Sequence, residues 1–297
     1  MNISRKKSIV FLVLAAVLWS TGGILIKLVD WNPIAIAGTR SGVSAILMYF
    51  YIIKKNKDSK LLSPKIKLTK IKFLGGCVYA ATVILFVLGN KLTTSANVIL
   101  LQYTAPIWVA LFSGYFLKEK VKKGDWISIF FVMSGMVLFF VGDINTGQMI
   151  GNFVSVLSGF ALAGVVILLK LQKEGSAVEM TFVGNIITLI VSIPFILWSM
   201  PSTISIIGII LLGIFQLGLS YILYSEAIFN VTAVEAILIP VIEPLLNPIW
   251  VFLFNGEKPS LMAIIGGMIV VSSVVIRNII ANKKNKSCDF KYKESTS

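Results

Sequence analysis

The sequence predicts an all-α polytopic membrane protein, with ten transmembrane helices arranged as two inverted five-helix repeats. Three observations lead there. Of the 297 residues, 57% are hydrophobic and only 13% are charged, and the mean hydropathy is +0.90. A soluble chain carries roughly 25% charged residues, and no single globule can hide this much apolar surface, so part of the solvent is lipid. The apolar residues also fall into ten runs of spanning length joined by short connections, and a 26-residue stretch recurs in altered form 138 positions later.

A helix needs about 20 mostly apolar residues to cross a bilayer. The runs that meet this are 8–28, 33–53, 71–90, 95–117, 124–142, 150–170, 178–199, 204–225, 232–254 and 260–280. The first follows Arg5, Lys6 and Lys7 as a signal peptide would. Its apolar sequence continues through Val29 without a small-residue cleavage site, so it is expected to stay in the protein as the first span. The longest connection, 54–70, carries seven lysines against one acid, Asp58. The last stretch, 282–297, is polar and basic and is expected to be a disordered tail.

The net charge of +14 does not point to nucleic acid, whose partners gather their charge on one patch or face. Here the cations sit in short segments between apolar runs. With the N-terminus in the cytoplasm, the inside segments hold Arg5 to Lys7, the 54–70 loop with Lys72, Lys118 to Lys123, Lys170, Lys173 and the tail after Ile276. The outside loops keep Lys91 and Lys258. That asymmetry predicts a cell (inner or plasma) membrane protein with both termini cytoplasmic.

The recurring stretch is TSANVILLQYTAPIWVALFSGYFLKE at 94–119 and TAVEAILIPVIEPLLNPIWVFLFNGE at 232–257. Thr94 falls on Thr232, Pro106 on Pro244 and Glu119 on Glu257. A looser match pairs WSTGGILIK (19–27) with LAGVVILLK (162–170). The repeat unit is five helices, here 1–142 and 143–281. An odd number inserts the second copy upside down, and inverted repeats of this kind recur in secondary transporters with a site near the midplane.

WSTGGILIK in the first span, NPIAIAGTRSG with Arg40 in the second, and APIWVALFSGYFLKEK and EPLLNPIWVFLFNGEK at the repeat ends together resemble the drug/metabolite transporter superfamily, EamA type. The resemblance covers nearly the whole chain. It implies two inverted halves around a central cavity, alternating access and, commonly, export of small metabolites or amino acids. It names no substrate. Glu243 directly before the motif proline departs from the usual pattern, since the first half has Ala105 there.

Glu243 is the strongest candidate for substrate binding or coupling. It stands in LIPVIEPLLNPIW near the midplane, where an ionisable group costs a few kcal/mol and has to face protein or water. Glu243, Asn247 and Trp250 recur at helical spacing on one stripe. A proton on Glu243 is the candidate coupling ion, and the bland alternative is a structural pair. Pro240, Pro244 and Pro248 remove backbone donors and are expected hinges, with Pro106 as counterpart in the first half. Arg40 lies between Gly38 and Gly42, which let a neighbour approach closely; it cannot deprotonate, so it needs a carboxylate or carbonyls. Lys27 near the outer end of its span is a candidate that can equally snorkel. A carboxylate-bearing substrate such as an amino acid suits Arg40 or Lys27 at one end and Glu243 at the other. Weaker candidates on cavity-facing helices are Trp19, Ser20, Thr21, Tyr79, Asn97, Gln102, Tyr103, Gln216, Ser220, Tyr221 and Tyr224. Glu226 and Glu235 are expected to be solvated helix ends.

The chain has no histidine and only two cysteines, Cys77 in an apolar run and Cys288 in the tail. No metal cluster, cofactor or histidine-based catalytic set is expected, and no disulfide. The glycine pairs 22–23, 75–76 and 266–267 lack the strand–loop–helix setting of a phosphate loop, and nothing resembles a nucleotide-binding motif, so transport should draw on a gradient. An intramembrane enzyme or lipid flippase would need a polar catalytic cluster or a lateral opening, and a sensor or scaffold would bring a soluble domain. The expected partners are a small-molecule substrate, the lipid bilayer and protons.

Overall fold

The computed structural model describes residues 4–58, 66, 68–140, 148–172, 177–246 and 261–295. Among these residues every regular element is a helix. In chain order they are α1 (Arg5–Trp19), α2 (Gly22–Leu28), α3 (Pro33–Asp58), α4 (Lys70–Leu92), α5 (Ser95–Gln102), α6 (Ala105–Phe116) and α7 (Lys123–Phe140). Then follow α8 (Met149–Lys170), α9 (Ala177–Trp198), α10 (Thr203–Leu211), α11 (Ser220–Ala227), α12 (Ala233–Leu238) and α13 (Leu261–Ser295).

Among the described residues seven stretches are long and apolar enough to cross a membrane: Arg5–Leu28, Pro33–Lys55, Lys70–Leu92, Ser95–Phe116, Met149–Lys170, Ala177–Trp198 and Thr203–Asn230. Ile264–Ile280 is a shorter apolar helix. The expected span 232–254 is described only as far as 246, so Asn247, Pro248 and Trp250 lie outside the described residues. Large apolar side chains such as Phe50, Phe130, Phe153, Ile190 and Ile204 face outward, as they must where the solvent is hydrocarbon.

Four of the expected spans are interrupted, and each interruption has a local cause. The first breaks at Ser20 and Thr21, whose hydroxyls donate back to the carbonyls of Val17 at 2.6 Å and Leu18 at 2.8 Å, and Gly22 and Gly23 follow. The fourth breaks at Tyr103 and Thr104, because Pro106 has no amide hydrogen to offer the Gln102 carbonyl; Thr104 donates back to Leu101 at 2.8 Å. The eighth changes to a π-helix over Leu212–Leu219, a rare form found mostly at functional sites. The ninth tightens to a 3₁₀ turn over Ile239–Val241, where Pro240 and Pro244 withdraw two amides. Thr94 and Thr232, the aligned threonines of the repeat, both cap helix starts by accepting from the amides of Asn97 and Glu235.

Glycines allow the closest helix approaches. A Cβ on Gly38 would meet Ser192 of α9, and one on Gly42 would meet Leu189, so α3 lies flush on α9 as the small-residue face predicts. Gly75 and Gly76 do the same for α4 against Met180 and Val183. Where α13 crosses α7, a Cβ on Gly266 would stand 2.5 Å from both the Gly135 carbonyl oxygen and the Phe139 amide nitrogen. Those are backbone atoms and cannot step aside. Gly266→Ala is therefore expected to cost about 1–3 kcal/mol through overpacking, read as a fall in the melting temperature of the detergent-solubilised protein. Gly267→Ala makes ordinary contacts with the Phe139 ring at 3.6 Å and Leu245 at 3.7 Å and is expected to melt as wild type.

One end of the bundle is tied by ion pairs. Lys55 pairs with Glu226, Lys72 with Glu179, and Lys170 with Glu119. Arg5 and Arg277 share Glu235, and Arg277 also holds Asp125 at 2.8 Å. Glu235 is 1% exposed, so it is not the solvated helix end expected from the sequence. It completes a capping box with Thr232, and its charge is met by two guanidiniums. At the opposite end, Lys27 donates to the Thr93 carbonyl at 3.0 Å and Lys91 to the Val29 carbonyl at 2.6 Å.

Candidate functional site

The four interruptions converge on one internal cavity of about 50 Å³, room for a few water molecules. Trp19 reaches it from the first break, Gln102 and Tyr103 from the fourth span, Gln216 from the π-helix, and Pro240 and Glu243 from the ninth. Arg40 of α3, Tyr221 and Tyr224 of α11, and Thr82, Val83 and Phe86 of α4 complete most of the wall. The irregular backbone thus lies where it borders a polar cavity, the one place at membrane depth where it is tolerated.

Arg40 is fully buried. Its guanidinium donates to Gln216 Oε1 at 2.8 Å and reaches the Val83 carbonyl at 3.5 Å, while Nε–H has no partner. No carboxylate among the described residues pairs with it. Gly213 explains how the π-helix comes so near: a Cβ there would stand 2.8 Å from the Arg40 carbonyl oxygen. Gly22 plays the same part on the other side, where a Cβ would stand 2.9 Å from the Gln216 amide nitrogen.

Glu243 meets Tyr103 across the cavity. The Tyr103 oxygen lies 2.8 Å from Glu243 Oε2 and 2.8 Å from the carbonyl oxygen of Pro240, which Pro244 leaves without its helical donor. A phenol has one hydrogen to give. Both contacts are satisfied together when Glu243 carries a proton and donates to Tyr103, which then donates to Pro240. With Glu243 ionised, Tyr103 turns to the carboxylate and the Pro240 carbonyl loses that donor. The site therefore has two hydrogen-bonding states that differ by one proton.

A cluster of aromatic rings forms one wall of the cavity. Trp19 packs on Tyr221 and Tyr224 with ring centroids 5.1 and 5.2 Å apart, and Tyr221 meets Tyr79 edge-on at 4.8 Å. Tyr79 stands behind Tyr221 and bonds with Asn185. Gln102 donates to Ser158 at 2.8 Å.

Of the residues singled out from the sequence, Trp19, Arg40, Gln102, Tyr103, Gln216, Tyr221, Pro240 and Glu243 share this cavity. Tyr79 supports it from behind. Pro106 lies just past the break that carries Tyr103, and Pro244 follows Glu243. Lys27 lies away from it, held at the end of the bundle by Thr93. Thr82, Phe86 and Leu162 were not singled out; in sequence they are indistinguishable from helix-packing residues.

A helical membrane bundle whose broken helices meet at a buried polar cavity is the architecture of a solute transporter. The chain belongs to the EamA-like transporter family, which it matches over residues 6–141 and again over 149–279. Among its relatives, the uncharacterized transporter YdfC of Bacillus subtilis is 28% identical over 95% of both chains. The pseudopaline exporter CntI of Pseudomonas aeruginosa is 23% identical over 91% of this chain and 95% of its own. Solute carrier family 35 member G1 of Mus musculus is 24% identical over 70% of this chain and 61% of its own. One protein crystal structure shares the fold, with a TM-score of 0.79 and 15% identity over 94% of this chain and 99% of its own.

Proposed function

We propose that the protein is a secondary active exporter of small metabolites such as amino acids. It works by alternating access between two inverted five-helix halves, 1–142 and 143–281, in the cell membrane. Both termini are cytoplasmic and 282–297 is a polar tail. The observation that carries this reading is the convergence of four interrupted spans on one cavity holding Arg40 without a counter-ion and Glu243 in a two-state hydrogen bond.

The packing supports two related halves. With ten spans numbered along the chain, exchanging the halves turns span three on span six (α4 on α8) into span eight on span one (α11 on α1). It turns span three on span seven (α4 on α9) into span eight on span two (the π-helix on α3). The pairs two–seven (α3 on α9) and five–ten (α7 on α13) map onto themselves. All of these contacts are present. Of the six ion pairs seen among the described residues, five join a residue of 1–142 to one of 143–281. They lie at the end that the positive-inside asymmetry assigns to the cytoplasm. In the proposed cycle these pairs hold the halves together at that end and part when the halves rock to open it.

Glu243 supplies a mechanism of coupling. A substrate ammonium and a proton compete for the same carboxylate, so the cationic group leaves with the outward step and a proton returns. One relative is named an exporter, which agrees with that direction. Reconstituted in liposomes, the protein is expected to move labelled amino acids in the direction opposite to the proton flow driven by an imposed pH gradient. Glu243→Gln keeps the neutral hydrogen-bonded form, so its flux is expected to fall at least tenfold and to lose its dependence on pH. Unchanged flux with unchanged pH dependence would contradict the coupling role.

A further inference from the structure

The cavity wall carries an excess of donors. Arg40 Nε–H, the Trp19 indole N–H and the Tyr224 hydroxyl are all buried without a hydrogen-bond partner, and all three residues line the same cavity. A buried polar group left unpaired costs about 1–3 kcal/mol, more when charged, and native chains rarely leave three together. The aromatic wall offers only neutral phenol oxygens, and none of them is in hydrogen-bonding contact with the three donors. The Arg40 charge is touched only by neutral groups, the Gln216 amide oxygen and the Val83 carbonyl.

From this we infer that Arg40, Trp19 and Tyr224 form a carboxylate-binding subsite, and that Gln216 is its placeholder and specificity-determining residue. This rests on the transport reading and assigns the end of the substrate opposite Glu243. The Gln216 amide oxygen mimics one carboxylate oxygen on the guanidinium. It is neutral, so it gives Arg40 a hydrogen bond but no counter-charge, and a charged acceptor makes the stronger bond. Gln216 stands in the π-helix, and its amide nitrogen rests over Gly22 where the first span resumes after its break. Movement of the glutamine is thereby tied to two of the four interruptions. An arriving carboxylate takes the guanidinium from Gln216 and supplies acceptors to the indole and the phenol.

The test uses four compounds on one skeleton: leucine, 4-methylpentanoate, leucinamide and isoamylamine. Binding to the purified full-length protein is read by thermal shift, since a ligand of the folded state raises its apparent stability. Leucine and 4-methylpentanoate are expected to stabilise it, and leucinamide and isoamylamine to do so at least tenfold more weakly. In Gln216→Glu the variant's own carboxylate occupies Arg40. That protein should melt above wild type without ligand and should lose carboxylate binding at least tenfold. Trp19→Phe keeps an aromatic, though smaller, ring and removes one donor, so it should weaken the two carboxylates several-fold and leave the amine unchanged. It serves also if Gln216→Glu does not fold. Equal response to acid and amine, no response to either acid, or carboxylate binding that survives these variants overturns the subsite. Carboxylate-selective binding without flux in liposomes would instead sink the transport reading and leave the subsite standing.

Discussion

Replacing Arg40 and Gln216 together by methionine is expected to abolish transport, with flux down at least a hundredfold, while the protein stays folded and melts at or above the wild-type temperature. The two side chains share a buried hydrogen bond, and removing both partners leaves no orphan behind. The guanidinium has no counter-ion among the described residues, so its burial opposes folding, and apolar replacement of buried charge is often neutral or stabilising by about 1–4 kcal/mol. A residue that lowers stability and is retained at the centre of a cavity is explained by function. Flux and thermal melting measured on the same preparation separate the two effects. A loss of stability in step with the loss of flux would mean that Arg40 is structural.

The second large effect is expected at the ion-paired end. Glu235→Gln removes the one buried carboxylate shared by Arg5 and Arg277, although Arg277 keeps Asp125. Breaking a buried pair from one side costs about 3–5 kcal/mol. The cost falls on the conformation in which the pairs are formed, so the population shifts toward the state open to the cytoplasm. A shift of about 3 kcal/mol is more than a hundredfold in the equilibrium. Uptake of a thiol reagent into the cavity from the cytoplasmic face should rise accordingly. Asp125→Asn leaves Arg277 its Glu235 partner and should have a smaller effect in the same direction.

Much of the fold was legible because lipid imposes one rule on every span. Apolar length predicts a helix there with few exceptions, and every predicted run overlaps helix among the described residues, though four are interrupted and the last helix continues to Ser295, through most of the stretch expected to be a disordered tail. The site was legible where a residue was costly. Glu243 and Arg40 stood out because charge at membrane depth has to be used, and the structure brings both to one cavity. Two of the breaks were legible through Pro106, Pro240 and Pro244. The other two were not: the change at Ser20 and Thr21 and the π-helix at 212–219 depend on hydroxyl back-bonding and on close backbone approach at Gly213. Neither leaves a strong mark on hydropathy. Glu235 was misread because its neighbours Arg5 and Arg277 are more than two hundred and more than forty positions away, respectively, and no local pattern predicts such a meeting. For Lys27 the sequence left two readings open, and the structure holds it on a backbone carbonyl at the bundle end.

The central claim is that the cavity between the halves opens to each side of the membrane in turn. Thr82 lines that cavity and is 3% exposed, so a cysteine in its place reports access to it. Cys77 and Cys288 are first replaced by alanine. A membrane-impermeant thiol reagent is then applied to oriented vesicles from one face or the other. The expected result is labelling of Thr82→Cys from both faces, with Glu235→Gln raising the cytoplasmic rate and lowering the external one. Labelling from a single face, at the same rate with or without Glu235→Gln, would contradict alternating access through this cavity.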